Sequence, residues 1–196
     1  MTGSYAYHQR SGIRPISWND FHGICKALAE AVAPFDPELI LPVGRGGYYP
    51  GTLLAHILLV EVYPVRLSRR ENDKVVHDSP RWLLRPPDLV AGKRVLIVDE
   101  ISDSGETLQV VKAEVAALGA AEVRTAVLYA HARSADVPDY IGLIADELLL
   151  NPWDREIYRD GAFQMHPEYA DALTQQGVTP DDSLLVAAAP FKAAKG

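Results

Sequence analysis

Apolar residues change their period several times along this chain. Phe21, Ile24, Leu28 and Val32 recur at helical spacing after Ser17-Trp18-Asn19-Asp20, a capping-box-like start, so a helix is expected there, ended by Pro34 and Pro37. Leu39–Val43 is a short apolar strand. It leads into Gly44-Arg45-Gly46-Gly47 and a second helix from about Pro50 to Leu59. Val62–Leu67 suits another strand, whereas residues 69–93 are polar, charged and proline-containing without a period, as in a long loop or mobile flap. Arg94–Val98 is mostly β-branched and reads as a strand buried on both faces. It runs into Asp99 and Glu100, a loop at 103–107, and then Leu108, Val111, Val115 and Leu118 at helical spacing, giving a helix over Glu106–Leu118. A strand at Val123–Tyr129 completes a βαβ unit. Such alternation predicts an α/β fold with a parallel sheet, helices on both faces and a ligand at the strands' carboxyl ends. The tail Ala187–Gly196 is expected to fray.

Composition narrows the partners. A chain of 196 residues suits one domain with a full core and room for a small appended lobe. A net charge of −7 argues against general nucleic-acid binding, which needs a basic face. The single Cys25 excludes a disulfide framework and fits a reducing compartment. His22-x-x-Cys25 lacks the second pair that a tetrahedral metal site needs. Residues 1–14 hold no apolar signal region, and Leu53–Val60, broken by His56, falls far short of a membrane span. A soluble, cytoplasmic protein with no nucleic-acid partner and no membrane span is expected.

Three segments carry chemistry. The turn Asp103-Ser104-Gly105-Glu106-Thr107 opens a helix, so its amides and the helix N-terminus converge as they do in phosphate sites. Asp99 and Glu100 supply hard oxygens suited to sugar hydroxyls and to Mg²⁺. In Pro42–Gly51 the glycines let backbone approach a ligand, and Arg45 puts a guanidinium among exposed amides, a good holder for pyrophosphate. This segment is neither a dinucleotide fingerprint nor a P-loop, since Tyr49 stands where a glycine is required and no Gly-Lys-Ser/Thr ending follows. The third segment is Leu148-Leu149-Leu150-Asn151-Pro152-Trp153-Asp154, followed by Arg155–Asp160.

The run from Val95 to Leu108 resembles the phosphoribosyl-pyrophosphate (PRPP) loop of the type I phosphoribosyltransferases, with Glu100 as second acid and Ser104 in place of the usual threonine. Arg45-Gly46-Gly47 and Leu148–Asp154 are similar to segments of the bacterial xanthine-guanine enzymes, and the Asp154…Arg159-Asp160 spacing is similar to that of the hypoxanthine-guanine enzymes. The resemblance covers most of residues 17–160. It implies one Rossmann-like phosphoribosyltransferase domain over 1–196, with a small hood formed by terminal segments and an extension at 161–196.

The resemblance also implies roles for residues. Asp103 is the general base, and Asp103 to Thr107 bind the 5′-phosphate. Asp99 and Glu100 bind ribose and Mg²⁺, with Asp154 as a further metal ligand. Arg45, Gly46, Gly47 and Arg159 hold pyrophosphate; Leu148, Leu149, Trp153 and Asp154 hold the base; Arg69 and Arg70, with Lys74, belong to a flap. Leu148 stands where a stacking aromatic is expected. Ala130-His131-Ala132 stands where a lysine reads the purine 6-oxo group, and His131 offers a donor there. The implied activity is transfer of 5-phosphoribosyl from PRPP to a 6-oxopurine by a Mg²⁺-dependent homodimer or homotetramer. A PRPP sensor without catalysis and a transferase for another base are the alternatives.

Overall fold

The computed structural model describes residues 10, 12–71, 74–77, 80–179, 185, 188 and 189. The expectation for the tail therefore falls almost wholly outside the described residues. The first elements are β1 (Ile13–Pro15), α1 (Trp18–Val32), β2 (Leu39–Gly44), α2 (Tyr48–Leu58), β3 (Glu61–Val62) and β4 (Val65–Ser68). Then come β5 (Arg70–Glu71), β6 (Lys74–Val75), β7 (Arg81–Leu84), β8 (Arg94–Ser102), α3 (Glu106–Ala117) and β9 (Glu122–Ala130). The chain continues through β10 (Tyr140–Ile144), β11 (Leu148–Leu150), β12 (Glu156–Arg159), β13 (Ala162–Met165) and α4 (Pro167–Gln175). Two compact units result: a larger one from Trp18 to Asp146, and a smaller one combining the described residues of 10–17 with those from Glu147 onward.

The larger unit is the α/β sheet. Its strand order is β10-β9-β8-β2-β4-β7, with β3 also beside β2. Every pairing is parallel except β4 with β7. Alternate residues of the central strands serve opposite faces. Leu39, Leu41, Val95, Ile97 and Val127 pack with Leu108, Val111 and Val115 of α3. Ile40, Leu96, Val98 and Leu128 between them are equally buried, while α2 packs against β2 and β8, and α1 against β9 and β10. Burial on both faces explains why these strands read as unbroken apolar runs. The connection after β2 leads outward to β3 and β4, whereas that after β8 leads the other way to β9. The β2–β8 boundary is thus a topological switch point, where such sheets bind ligands.

Three expectations need correction. β8 does not end at Val98 but runs to Ser102, with Asp99 paired to Val127 and Ser102 to Ala130, so the acid pair lies within the strand. The segment 69–93 is not a structureless loop. It holds the β5–β6 hairpin and the edge strand β7, whose Trp82 packs on the core beneath otherwise outward residues. Helix α2 starts at Tyr48, two residues before Pro50, because Pro50 fits a first turn, where its missing amide is not needed.

The smaller unit is held by its own packing. β1 pairs in parallel with β11, and Leu148, Leu150, Ala172 and Leu173 form a core with Ile13, Met165 and Tyr169 against it. β12 and β13 form a hairpin turned by Asp160 and Gly161, both at positive φ, which a two-residue hairpin loop requires. The buried Arg155 guanidinium donates to the carbonyls of Asn151, Leu150 and Ile16. No helix among the described residues is long and apolar enough to cross a membrane.

Candidate functional site

Two loops leave neighbouring strand ends at the switch point. After β2 the chain makes the turn Arg45-Gly46-Gly47, in which the Gly44–Arg45 peptide is cis and Gly47 N–H donates to Val43 O. A Cβ on Gly46 would stand 1.7 Å from Glu100 Oε2 and 2.8 Å from Glu100 Cβ, so a larger residue there would displace the Glu100 side chain. Arg45 is exposed at the turn. After β8 comes Asp103-Ser104-Gly105, where Gly105 caps α3 at φ +78° and a Cβ would lie 2.6 Å from Val137 Cγ1. Gln109 N–H donates to Gly105 O, the start of the helical ladder. The amides before it are those that a helix leaves for other acceptors. Ser104 Oγ accepts from Glu106 N–H at 3.4 Å. Glu106 and Thr107, half-buried, form the first helical residues.

Asp99 and Glu100 lie between the loops, both half-buried. Burial pushes the Asp99 carboxyl up to about 7, only partly offset by the hydrogen bond that Glu100 N–H donates to it at 2.7 Å. A carboxylate so poorly compensated suits a cationic partner. Among the described residues no three His, Cys, Asp or Glu side chains gather as a metal cluster. A cation here would draw on this pair and on a ligand's own oxygens, as Mg²⁺ does with phosphates.

The Asp103 carboxylate is engaged by Arg133, whose guanidinium pairs with Oδ1 and donates through Nε to the Asp103 carbonyl at 3.2 Å. Arg133 was not anticipated: nothing in Ala132-Arg133-Ser134 marks it until β8 and β9 are known to be neighbours. His131, the residue that stands where a base-reading lysine is expected, is 2% exposed, and its Nδ1 lies 2.8 Å from Ala145 O. Arg69 Nη1 lies 4.0 Å from Glu106 Oε2, which places it beside the 103–107 turn. Arg70 and Lys74 belong to the backbone of the β5–β6 hairpin, and residues 72–73 between those strands lie outside the described residues.

The remaining expected residues belong to the smaller unit. Leu148 and Leu149 are 4% and 7% exposed, and the Leu148 side chain is part of that unit's apolar core. Trp153 and Asp154 are half-buried in the turn after β11. Arg159 is exposed at the end of β12, beside the Asp160-Gly161 turn, a hairpin signal legible in the sequence but read there only as ligand spacing.

Known proteins are similar to this chain. Hypoxanthine-guanine phosphoribosyltransferase of Saccharomyces cerevisiae is 32% identical over 112 residues, 47% of this chain and 50% of that protein. The chain therefore spans about half the length of that relative. Xanthine-guanine phosphoribosyltransferase of Roseobacter denitrificans is 28% identical over 152 residues, 71% of this chain and 84% of that protein. The crystal structure of a purine phosphoribosyltransferase from Pyrococcus horikoshii superposes with a TM-score of 0.67 at 30% identity, covering 76% of this chain and 98% of that one. The phosphoribosyl transferase domain matches residues 19–157, well over half of the sequence, and the chain belongs to that family.

Proposed function

We propose that this protein transfers the 5-phosphoribosyl group of PRPP to a 6-oxopurine, giving a nucleoside 5′-monophosphate and pyrophosphate. The observation that carries the reading is the pair of backbone loops at the β2–β8 switch point with two acids between them. A ligand with a phosphate at one end, a pyrophosphate at the other and a ribose in the middle matches that order. The purine and guanine relatives named above support the acceptor class.

Displacing pyrophosphate from ribose C1 puts positive charge on the sugar and negative charge on the leaving group. The 103–107 turn anchors the 5′-phosphate as a handle, which holds C1 in place for attack. Arg45 and the amides of Gly46 and Gly47 stabilise the leaving pyrophosphate. Asp99 and Glu100 fix the ribose hydroxyls and would supply oxygens to a Mg²⁺ ion. When bound, Mg²⁺ would supply positive charge to the leaving pyrophosphate. Asp103 accepts the proton that the base loses as its nitrogen attacks. Arg69, beside the 103–107 turn, shields it from water. The smaller unit carries the candidates for base contact, Leu149, Trp153 and Asp154, and for pyrophosphate, Arg159. Its partners on this reading are PRPP, a nucleobase and further copies of the chain in a dimer or tetramer.

The test is a panel of nucleobases with PRPP and Mg²⁺, following pyrophosphate release. Hypoxanthine, guanine or xanthine should be used and adenine and pyrimidines rejected, and a chelator should abolish turnover. PRPP binding without release from any base would replace the enzyme by a sensor, and use of another base would replace the acceptor class.

A further inference from the structure

His131 follows β9 and opens the 3₁₀ turn Ala132–Ser134. Its ring is buried, and its two nitrogens meet different partners. Nδ1 lies 2.8 Å from Ala145 O and 3.5 Å from Asp146 Oδ1. A carbonyl only accepts, so Nδ1 carries a proton. Nε2 is then the nitrogen with the free lone pair when the ring is neutral. It has no hydrogen-bond partner among the described residues and lies 3.7 Å from Oδ1 of Asp103.

The two groups are fixed relative to one another by backbone. Ser102 O accepts from His131 N–H at 3.2 Å and from Ser134 Oγ–H at 2.7 Å, which ties the residue before Asp103 to the turn carrying His131. The charged groups facing the imidazole are Asp103 and Asp146, and Arg133 reaches it only through Asp103. The imidazole is buried while the Asp103 carboxylate is partly open to solvent, and a lone pair aimed at an ionised oxygen 3.7 Å away is unfavourable until a proton passes between them. The guanidinium of Arg133 already pairs with that carboxylate, so a proton taken up there competes with an ion pair. A second acceptor behind it answers both problems.

We infer that His131 is a positioning residue that acts through Asp103, taking over the proton that Asp103 removes from the purine; this rests on the reading of Asp103 given above. As C1–N forms and C1–O to pyrophosphate breaks, the purine N–H bond gives its electron pair to nitrogen and its proton to the Asp103 carboxylate. The proton then passes from Asp103 Oδ1 to the Nε2 lone pair. Asp103 returns to an anion paired with Arg133. The imidazolium keeps its Nδ1–H bond to Ala145 O with Asp146 alongside.

Two measurements decide it. In His131→Gln, kcat should fall about tenfold or more and the kcat–pH profile should change shape, while KM for PRPP stays within about twofold. In ¹⁵N NMR of the free protein, the His131 Nε2 resonance should titrate differently in wild type and Asp103→Asn across about pH 5 to 8. A His131→Gln enzyme with wild-type kcat and profile overturns the relay, as does an Nε2 resonance blind to Asp103→Asn. The NMR comparison needs neither turnover nor a folded His131→Gln protein. If no nucleobase releases pyrophosphate, the transferase reading fails, and the NMR result alone decides whether the two groups share a proton.

Discussion

The two units of this protein place precision in different materials. At the β2–β8 switch point it lies in the backbone. Gly46 has no Cβ because Glu100 occupies the space, and Gly105 holds a left-handed turn against Val137. The smaller unit relies instead on a side chain. One buried guanidinium, Arg155, satisfies carbonyls of Ile16, Leu150 and Asn151 above a core of Leu148, Leu150, Ala172 and Leu173. Backbone on a sheet buried on both faces can aim several amides at a ligand without side-chain entropy to lose. A unit with a two-stranded β1–β11 sheet and a hairpin has less ladder to close its carbonyls, and the arginine closes them. Lesions in the two materials should therefore fail in different ways.

The largest effect should come from Gly105→Val. At φ +78° with Val137 in contact, the valine forces the turn to change, and the cradle of amides goes with it. PRPP at about a hundredfold excess over Kd should stabilise wild type by about 2.7 kcal/mol and the variant by almost nothing. Thermal shifts with and without PRPP check this. Adding Val137→Ala relieves the contact but not the backbone conformation, so it should not restore binding. A Gly105→Val protein with a normal shift would break the claim that backbone makes this site.

Arg155→Ala should do the reverse. It leaves buried carbonyls unanswered, at a cost of about 1–3 kcal/mol each way such a group is stranded. The loss should appear as faster hydrogen exchange at residues 13–16 and 148–150, with most of the PRPP thermal shift retained. Arg155→Lys should recover little, since a point charge cannot reach several carbonyls as a planar fork does. If exchange quickened equally across β2 and β8, stability would be shared more evenly than this contrast holds.

Legibility in the sequence follows the same division. Val95–Val98 and the turn 103–107 were readable because a strand buried on both faces has one signature and a helix-opening turn another. The extension of β8 to Ser102 was not, since Asp99 and Glu100 resemble a strand's end and only the ladder with β9 keeps them in it. β7 escaped because Pro80 and Pro86 flank a segment in which Trp82 alone packs inward. The Asp160-Gly161 hairpin turn was legible in principle. Arg133 and the burial of His131 were not, because both depend on which strand ends are neighbours. Leu148 was carried over as a base-binding position, and the sequence could not show that its side chain packs in the smaller unit's core.

The larger unit also has a side-chain clamp, and it sets the lower bound of the contrast. Asp139, just before β10, accepts from the Thr125 amide and hydroxyl, each at 2.8 Å, and from Lys112 at 3.3 Å. Burial pushes its carboxyl up, but these bonds outweigh that and hold it below the usual carboxylate range. A carboxyl depressed by folding adds stability above its unfolded pKa and loses it as pH falls through the folded value. Asp139→Asn should thus lower Tm near neutrality, and the gap to wild type should close below about pH 4. The group is partly open to solvent, so the shift should be on the order of one or two degrees, well under that of Arg155→Ala. A Tm difference that persisted unchanged into acid would mean that the Asp139 hydrogen bonds, and not its charge, join β9 to the segment before β10.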